Sequence, residues 1–308
     1  MKRKMEASEL IFKIIAYVLL IIFSALCIYP LLYALGSMFS GFDAVKEGKV
    51  VLWPVDVQGK AFMYVATNSK FWINYSNTLF VTFIGTIWCL VYSILGAYAL
   101  SKKRLMGRHG FNFFLVFTMW FAAGVIPTYL NYQQTGEILA SIVGKNSMFD
   151  IDLKWLIVLA MGMNATNIVL LRNSFEGVPS EIEEAARIDG ATELQILTKV
   201  YIPMSKATIA TVALFFGISR WNGYFWAYRV LGSSQSYSWP VQVYMRDFME
   251  NNTALTSVLP DDPEVKDVGE ATSYLYSMVI FAMIPILIIY PFIQKYFAKG
   301  VNMGGVKE

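Results

Sequence analysis

Residues Val178-Pro-Ser-Glu-Ile-Glu-Glu-Ala-Ala-Arg-Ile-Asp-Gly-Ala-Thr192, continuing to Val200-Tyr-Ile-Pro203, form a charged, helix-forming stretch in an otherwise apolar chain. It is flanked by hydrophobic runs long enough to cross a membrane, for which about 20 apolar residues suffice. The stretch therefore stands outside the lipid. Pro179 and Ser180 followed by Glu181, Glu183 and Glu184 read as a helix start, with Ser180 as cap and carboxylates where the helix dipole favours them. Ala185 and Ala186 extend the helix with little bulk, Gly190 supplies a stop or sharp turn, and a second amphipathic segment runs from Thr192 to Pro203. Physics alone leaves two readings open: a protruding docking knob, or a solvated connector lying on the membrane surface.

The rest of the chain is 56% hydrophobic and only 15% charged over 308 residues, with a mean hydropathy of +0.49, which excludes an ordinary soluble domain. Six apolar segments are expected to span the membrane, at about 10–38, 74–100, 111–130, 155–171, 207–225 and 274–293. The first is too long for the hydrophobic region of a signal peptide. Pro30, Pro127 and Pro285 predict kinks. Lys2, Arg3 and Lys4 at the N-terminus, and Lys102, Lys103, Arg104 and Arg108 after the second segment, belong on the cytoplasmic side. With six crossings the C-terminus, with Lys295 and Lys299, is cytoplasmic too, as is the opening stretch, a loop at about 176–205. The loops 40–75, 131–154 and 226–273 then face outward; the last, with Pro260-Asp-Asp-Pro263, is expected to be the least helical. Cys27 and Cys89 lie inside apolar runs and read as buried thiols acting as small apolar side chains.

The cores of the six segments contain no Asp, Glu, Lys, Arg or His, which argues against ion-coupled transport, proton pumping and intramembrane hydrolysis. Arg220, near the outer end of the fifth segment, reads as snorkelling to the interface, with lining of a polar pathway as the alternative. No phosphate-binding loop occurs, since Gly144-Lys145 is followed by Asn146. The short basic clusters beside apolar runs give no support for nucleic-acid binding. Energy for uphill movement has to come from a partner through a cytoplasmic docking element.

Glu184-Ala185-Ala186, three residues, Gly190, nine residues, then Val200-Tyr201-Ile202-Pro203 resembles the EAA loop of the membrane subunits of ATP-binding-cassette importers. Val200 and Ile202 stand where that family usually has Ile and Leu, and Asp189-Gly190-Ala191 has the family's form. Leu52-Trp53-Pro54, Asn77-Thr78-Leu79, Ala97-Tyr98-Ala99-Leu100-Ser101, Trp221-Asn222-Gly223-Tyr224-Phe225 (Gly where Asp is common), the stretch Gln294 to Gly300 and Gly304-Gly305-Val306-Lys307 are similar to motifs of its carbohydrate branch. The chain looks closest to the second permease of maltose-type systems, in particular to permeases for complex oligosaccharides.

The resemblance implies an all-α membrane protein with six transmembrane helices and the type I importer permease fold, carrying a cytoplasmic coupling helix from Glu181 to Thr192. Glu184 would pair with a basic group of a separate ATPase dimer, Ala185 and Ala186 would pack closely on it, and Gly190 would fix the turn. Asp189, Ala191, Val200, Ile202 and Pro203 complete the coupling motif, and the tail within 295–308 would reach toward the ATPases. The expected partners are a second permease subunit, the ATPase dimer carrying ATP and Mg, an external sugar-binding protein, an oligosaccharide and membrane lipid. No cofactor and no metal is expected on this chain, and no catalysis. The location implied is the cytoplasmic (inner) membrane of a prokaryote. Sugars are held by aromatic faces and neutral hydrogen-bonding groups. Asn164, Asn167, Trp221, Asn222 and Tyr224 are therefore the substrate candidates; interhelical bonding for the asparagines, and an interfacial belt for the aromatics, are the alternatives. A non-sugar cargo and a membrane-embedded enzyme are the competing functions.

Overall fold

The computed structural model describes residues 7–121, 123–160, 162, 164–232, 235–252 and 268–300. The basic N-terminal cluster, Pro260-Asp-Asp-Pro263 and the tail beyond Gly300 lie outside the described residues. Among the described residues every regular element is a helix. In chain order these are α1 (Ala7–Met38), α2 (Phe42–Lys46), α3 (Lys60–Thr67), α4 (Ser69–Ser101), α5 (Arg108–Trp120), α6 (Val125–Ile142), α7 (Leu153–Ala160), α8 (Ala165–Glu176) and α9 (Ser180–Ile188). Then come α10 (Glu193–Ile196), a π-helical turn over Leu197–Tyr201, α11 (Ile202–Met204), α12 (Lys206–Trp221), α13 (Tyr224–Leu231), α14 (Val241–Asn252) and α15 (Val268–Gly300).

Three helices are each long and apolar enough to cross a membrane: Glu9–Met38, Ser69–Ser101 and Gly269–Pro291. Three bent pairs pass the same test together, which brings the crossings to as many as six. The 33 residues of α4 give a rod of about 50 Å against a hydrocarbon core of about 30 Å. It therefore projects from the lipid, and its two ends are free to carry polar attachments.

The expected third and fourth segments are not continuous helices. α5 and α6 meet at a bend of 119°, and α7 and α8 at 47°. Gly124 (φ +87°) precedes α6, and the Asn164 side chain caps α8 by accepting from Asn167 N at 3.2 Å. The fifth segment also ends earlier than expected, at Trp221 rather than 225, because Asn222 and Gly223 break the helix before α13. The outer region after residue 226, expected to be the least helical, holds α13, a 3₁₀ turn and α14 within its described part.

The chain divides into two compact units. In the first, Met1–Phe71 with Met245–Ile284, Tyr64 stacks on Tyr274 at 3.9 Å, Phe42 meets Tyr274 edge-on at 5.6 Å and Tyr33 meets Tyr276 at 5.3 Å. None of the most apolar window of α1 is buried among the described residues. The second unit, Trp72–Tyr244 with Pro285–Glu308, contains both regions singled out by the sequence. One end of it is tied by polar side chains. Asn77 Nδ2 donates to Tyr237 O at 2.7 Å and Trp239 O at 3.1 Å, Val241 N donates to Thr78 Oγ1 at 2.7 Å, and buried Gln235 accepts from Leu153 N at 3.1 Å.

Candidate functional site

The charged stretch folds as a stiff helix, turn and helix. Ser180 is the first residue of α9 rather than its cap. Pro179 holds the N-cap position without a side-chain bond, its missing N–H costing nothing at a helix start. The other end is a Schellman closure: Ala191 N donates to Ala186 O at 3.0 Å and Gly190 N to Arg187 O at 3.1 Å. Gly190 sits at φ +77°, the left-handed conformation this closure requires. Thr192 then caps the next helix in a capping box with Gln195, with Thr192 N to Gln195 Oε1 at 2.8 Å and Gln195 N to Thr192 Oγ1 at 3.4 Å. The segment Glu193–Met204 lies at 86° to α12. Pro203 has no N–H to give to the carbonyl four residues back, and the π-helical turn over Leu197–Tyr201 accommodates that gap.

One face of this knob is free and the other is rooted. Glu184, Ala185, Asp189 and Gly190 are exposed, Ala186 and Ala191 half-buried. Ile188 is 86% exposed and Leu194 65%. Two large apolar side chains thus stand on the exposed face of the knob. Glu184 has no ion pair among the described residues. On the rooted side Ile196, Leu197 and Tyr201 are buried with Phe175, Ile168 and Leu171 from α8; Val200 and Ile202 pack half-buried against them, and Pro203 is exposed.

Lys102 is the centre of the root. Its ammonium lies 4.2 Å from the Tyr98 ring and 3.9 Å from the Tyr201 ring, and donates to Glu183 Oε2 at 2.7 Å. The Tyr201 hydroxyl donates to the same oxygen. Burial works against the Glu183 carboxylate, yet the bonds from Lys102 and Tyr201 outweigh it and hold its pKa below the ordinary value. Burial draws the Lys102 ammonium downward, opposed by Glu183. The two shifts favour opposite protonation states of the pair. We take it as ionised, because two donors converge on one carboxylate oxygen and two ring faces flank the cation. Around it, Glu193 accepts from Arg104, from Arg187 at 3.3 Å and from Tyr98 at 2.8 Å. The bond from Arg104 is the main force holding the Glu193 carboxyl low. Burial and the bond to Glu183 push the Tyr201 phenol up. The basic cluster that sets topology in the sequence is thus also the anchor of the knob. Only the acid-rich α9 opposite a basic post-α4 loop could have signalled that.

A cavity of about 880 Å³ opens beside the breaks in the helices. Trp88 and Tyr92 of α4, Asn131 and Tyr132 of α6, Gly162, Asn164 and Asn167 at the α7–α8 break, and Ser219, Arg220 and Trp226 line it. Irregular backbone at membrane depth is tolerated where it borders such a space. Of the five sequence candidates, Asn164 and Asn167 reach the cavity. Trp221 is buried against Tyr75 with centroids 6.2 Å apart, Asn222 caps α12 and Tyr224 opens α13; none of the three lines it.

Arg220 does not snorkel. It is only 6% exposed, and its guanidinium donates to Ile157 O at 3.1 Å and to Cys89 Sγ at 2.8 Å. Cys89 in turn donates to Gly162 O at 3.2 Å, so this buried thiol does polar work as well as filling space. Gly85 makes room: a Cβ there would stand 3.2 Å from Arg220 Nε.

A helical membrane protein with a helix–turn–helix knob and a polar cavity at broken helices has the architecture of a transport permease. The chain matches the family described as binding-protein-dependent transport system inner membrane component over residues 63–303, and it belongs to that family. It is similar to the polygalacturonan/rhamnogalacturonan transport system permease protein YtcP of Bacillus subtilis (strain 168), at 33% identity with 96% of this chain and 98% of that protein covered. It is also similar to Protein LplC of the same organism, at 30% identity with 92% and 90% covered. A crystal structure of a bacterial ABC transporter involved in the import of the acidic polysaccharide alginate shares the fold with a TM-score of 0.81 and 38% identity, covering 96% of this chain and 100% of that one. The expected all-α type I permease class holds.

Proposed function

We propose that this chain is one permease subunit of an ATP-driven importer that passes an oligosaccharide, handed over by an external binding protein, across the cytoplasmic membrane of a prokaryote. A second permease completes the pathway. A separate ATPase dimer, holding ATP and Mg, drives it through α9, and both termini of this chain face the cytoplasm. The carbohydrate cargo rests on the relatives, which are named for polygalacturonan and rhamnogalacturonan and for alginate.

The observation that carries the coupling role is the knob itself. Its exposed face presents Ile188 and Leu194, while its other face is locked to the end of α4 through Lys102 and Glu183. A force on the exposed face therefore moves a helix about 50 Å long as a rod. Closure of the ATPase dimer would pull α9, and α4 with it, between inward-facing and outward-facing arrangements. Glu184→Lys and Gly190→Pro are expected to abolish sugar uptake by the assembled importer while the chain still inserts and pairs. Uptake at the wild-type rate in both would remove the coupling role.

A further inference from the structure

Arg220 is the one charged side chain among the described residues that line the cavity. It is 6% exposed, and no carboxylate among the described residues pairs with it. A guanidinium has five N–H donors and keeps its charge. Here two reach protein acceptors, the Ile157 carbonyl and the Cys89 thiol, both uncharged. A buried cation without an anion is costly to maintain. The surrounding wall offers Asn131, Asn164, Asn167, Tyr132, Trp88 and Trp226, the aromatic faces and neutral donors that suit a sugar ring.

We propose that Arg220 is a specificity-determining residue that receives the carboxylate of a sugar acid, so that the oligosaccharide passed by this chain carries uronate units. The inference rests on the oligosaccharide reading above and narrows it. A planar guanidinium matches a carboxylate with two parallel hydrogen bonds, and water exclusion strengthens them. A neutral sugar entering the same space leaves the cation uncompensated. Gly85 belongs to the same construction, because a Cβ there would stand 3.2 Å from Arg220 Nε and crowd the side chain where it now lies.

The test uses the assembled complex of both permeases and the ATPase without the binding protein. Hexuronate trisaccharides of galacturonate, glucuronate and mannuronate type are each titrated beside their carboxyl-reduced neutral counterparts. Wild type is expected to bind at least one acid form about tenfold or more tightly than its neutral counterpart. Arg220→Gln is expected to erase that preference, and Arg220→Lys to restore part of it. Equal binding of acid and neutral forms by wild type, no binding of any acid form, or a preference that survives Arg220→Gln overturns the inference and leaves Arg220 as a brace between helices. The wild-type comparison stands even if Arg220→Gln fails to assemble. Sugar uptake by the whole importer is measured in parallel; only its absence for acidic and neutral sugars alike would take the oligosaccharide reading down as well.

Discussion

Lys102 Nζ donates to Glu183 Oε2 at 2.7 Å, with side-chain exposures of 10% and 15%, joining the C-terminal end of α4 to the rooted face of α9. An ion pair this well covered, with a tyrosine hydroxyl on the same oxygen, differs from the surface pairs whose net worth is near zero. Removing Lys102 takes from Glu183 its covered cation and leaves it with the Tyr201 hydroxyl and the more exposed Arg187. Lys102→Met is therefore expected to lower stability by about 1–3 kcal/mol, read as a fall in the melting temperature of the purified complex. Adding Glu183→Leu to that variant is expected to recover part of the loss, since the mostly buried carboxylate that has lost its covered cation is gone too. An additive double variant would contradict the pairing.

The same cluster sets a pH dependence. Glu183 and Glu193 both titrate below the ordinary carboxylate value of 4.5 when folded. A depressed carboxyl contributes stability that is present above the unfolded value and is lost as pH falls through the folded one. The knob is expected to stay rooted from about pH 7 to about pH 5 and to loosen below about pH 4. Cleavage after the exposed Leu194 by an acid-active protease reports this, rising steeply only in the lower window. A cleavage rate flat across the acid range would contradict the assignment.

Gly190 stands at φ +77° with open space where a Cβ would go. The cost of a side chain there is thus conformational, about 1 kcal/mol for Ala and more for a β-branched residue. Uptake is expected to fall in the order Gly190→Asn, Gly190→Ala, Gly190→Val, with Asn the mildest. A Val variant as active as Asn would mean that the left-handed turn is dispensable.

Sequence legibility follows the range of the interactions involved. The apolar runs and the turn at Gly190 are local patterns, and they lead directly to the apolar helices and the knob. Gly162 and Asn164 are also local, a helix break followed by a cap, but their signal is masked by the apolar residues around them, so the fourth segment reads as one helix. Arg220 cannot be placed from its neighbours. Its partners are Cys89, 131 residues away, and Ile157, 63 residues away, and hydropathy near Trp221 suggests the interface instead. The cavity is likewise a product of packing, assembled from α4, α6, α7, α8, α12 and α13, and only two of its polar residues sit where a helix break draws attention to them.

Ala185 offers the most direct test of the claim that α9 is where the ATPase acts. It is exposed, so Ala185→Arg leaves the fold intact while placing a long charged side chain on the surface proposed to pack closely. The account predicts that the variant inserts and pairs with its partner permease, that the ATPase subunit no longer copurifies, and that uptake falls by at least about tenfold. Copurification of the ATPase at the wild-type level, together with wild-type uptake, would contradict it.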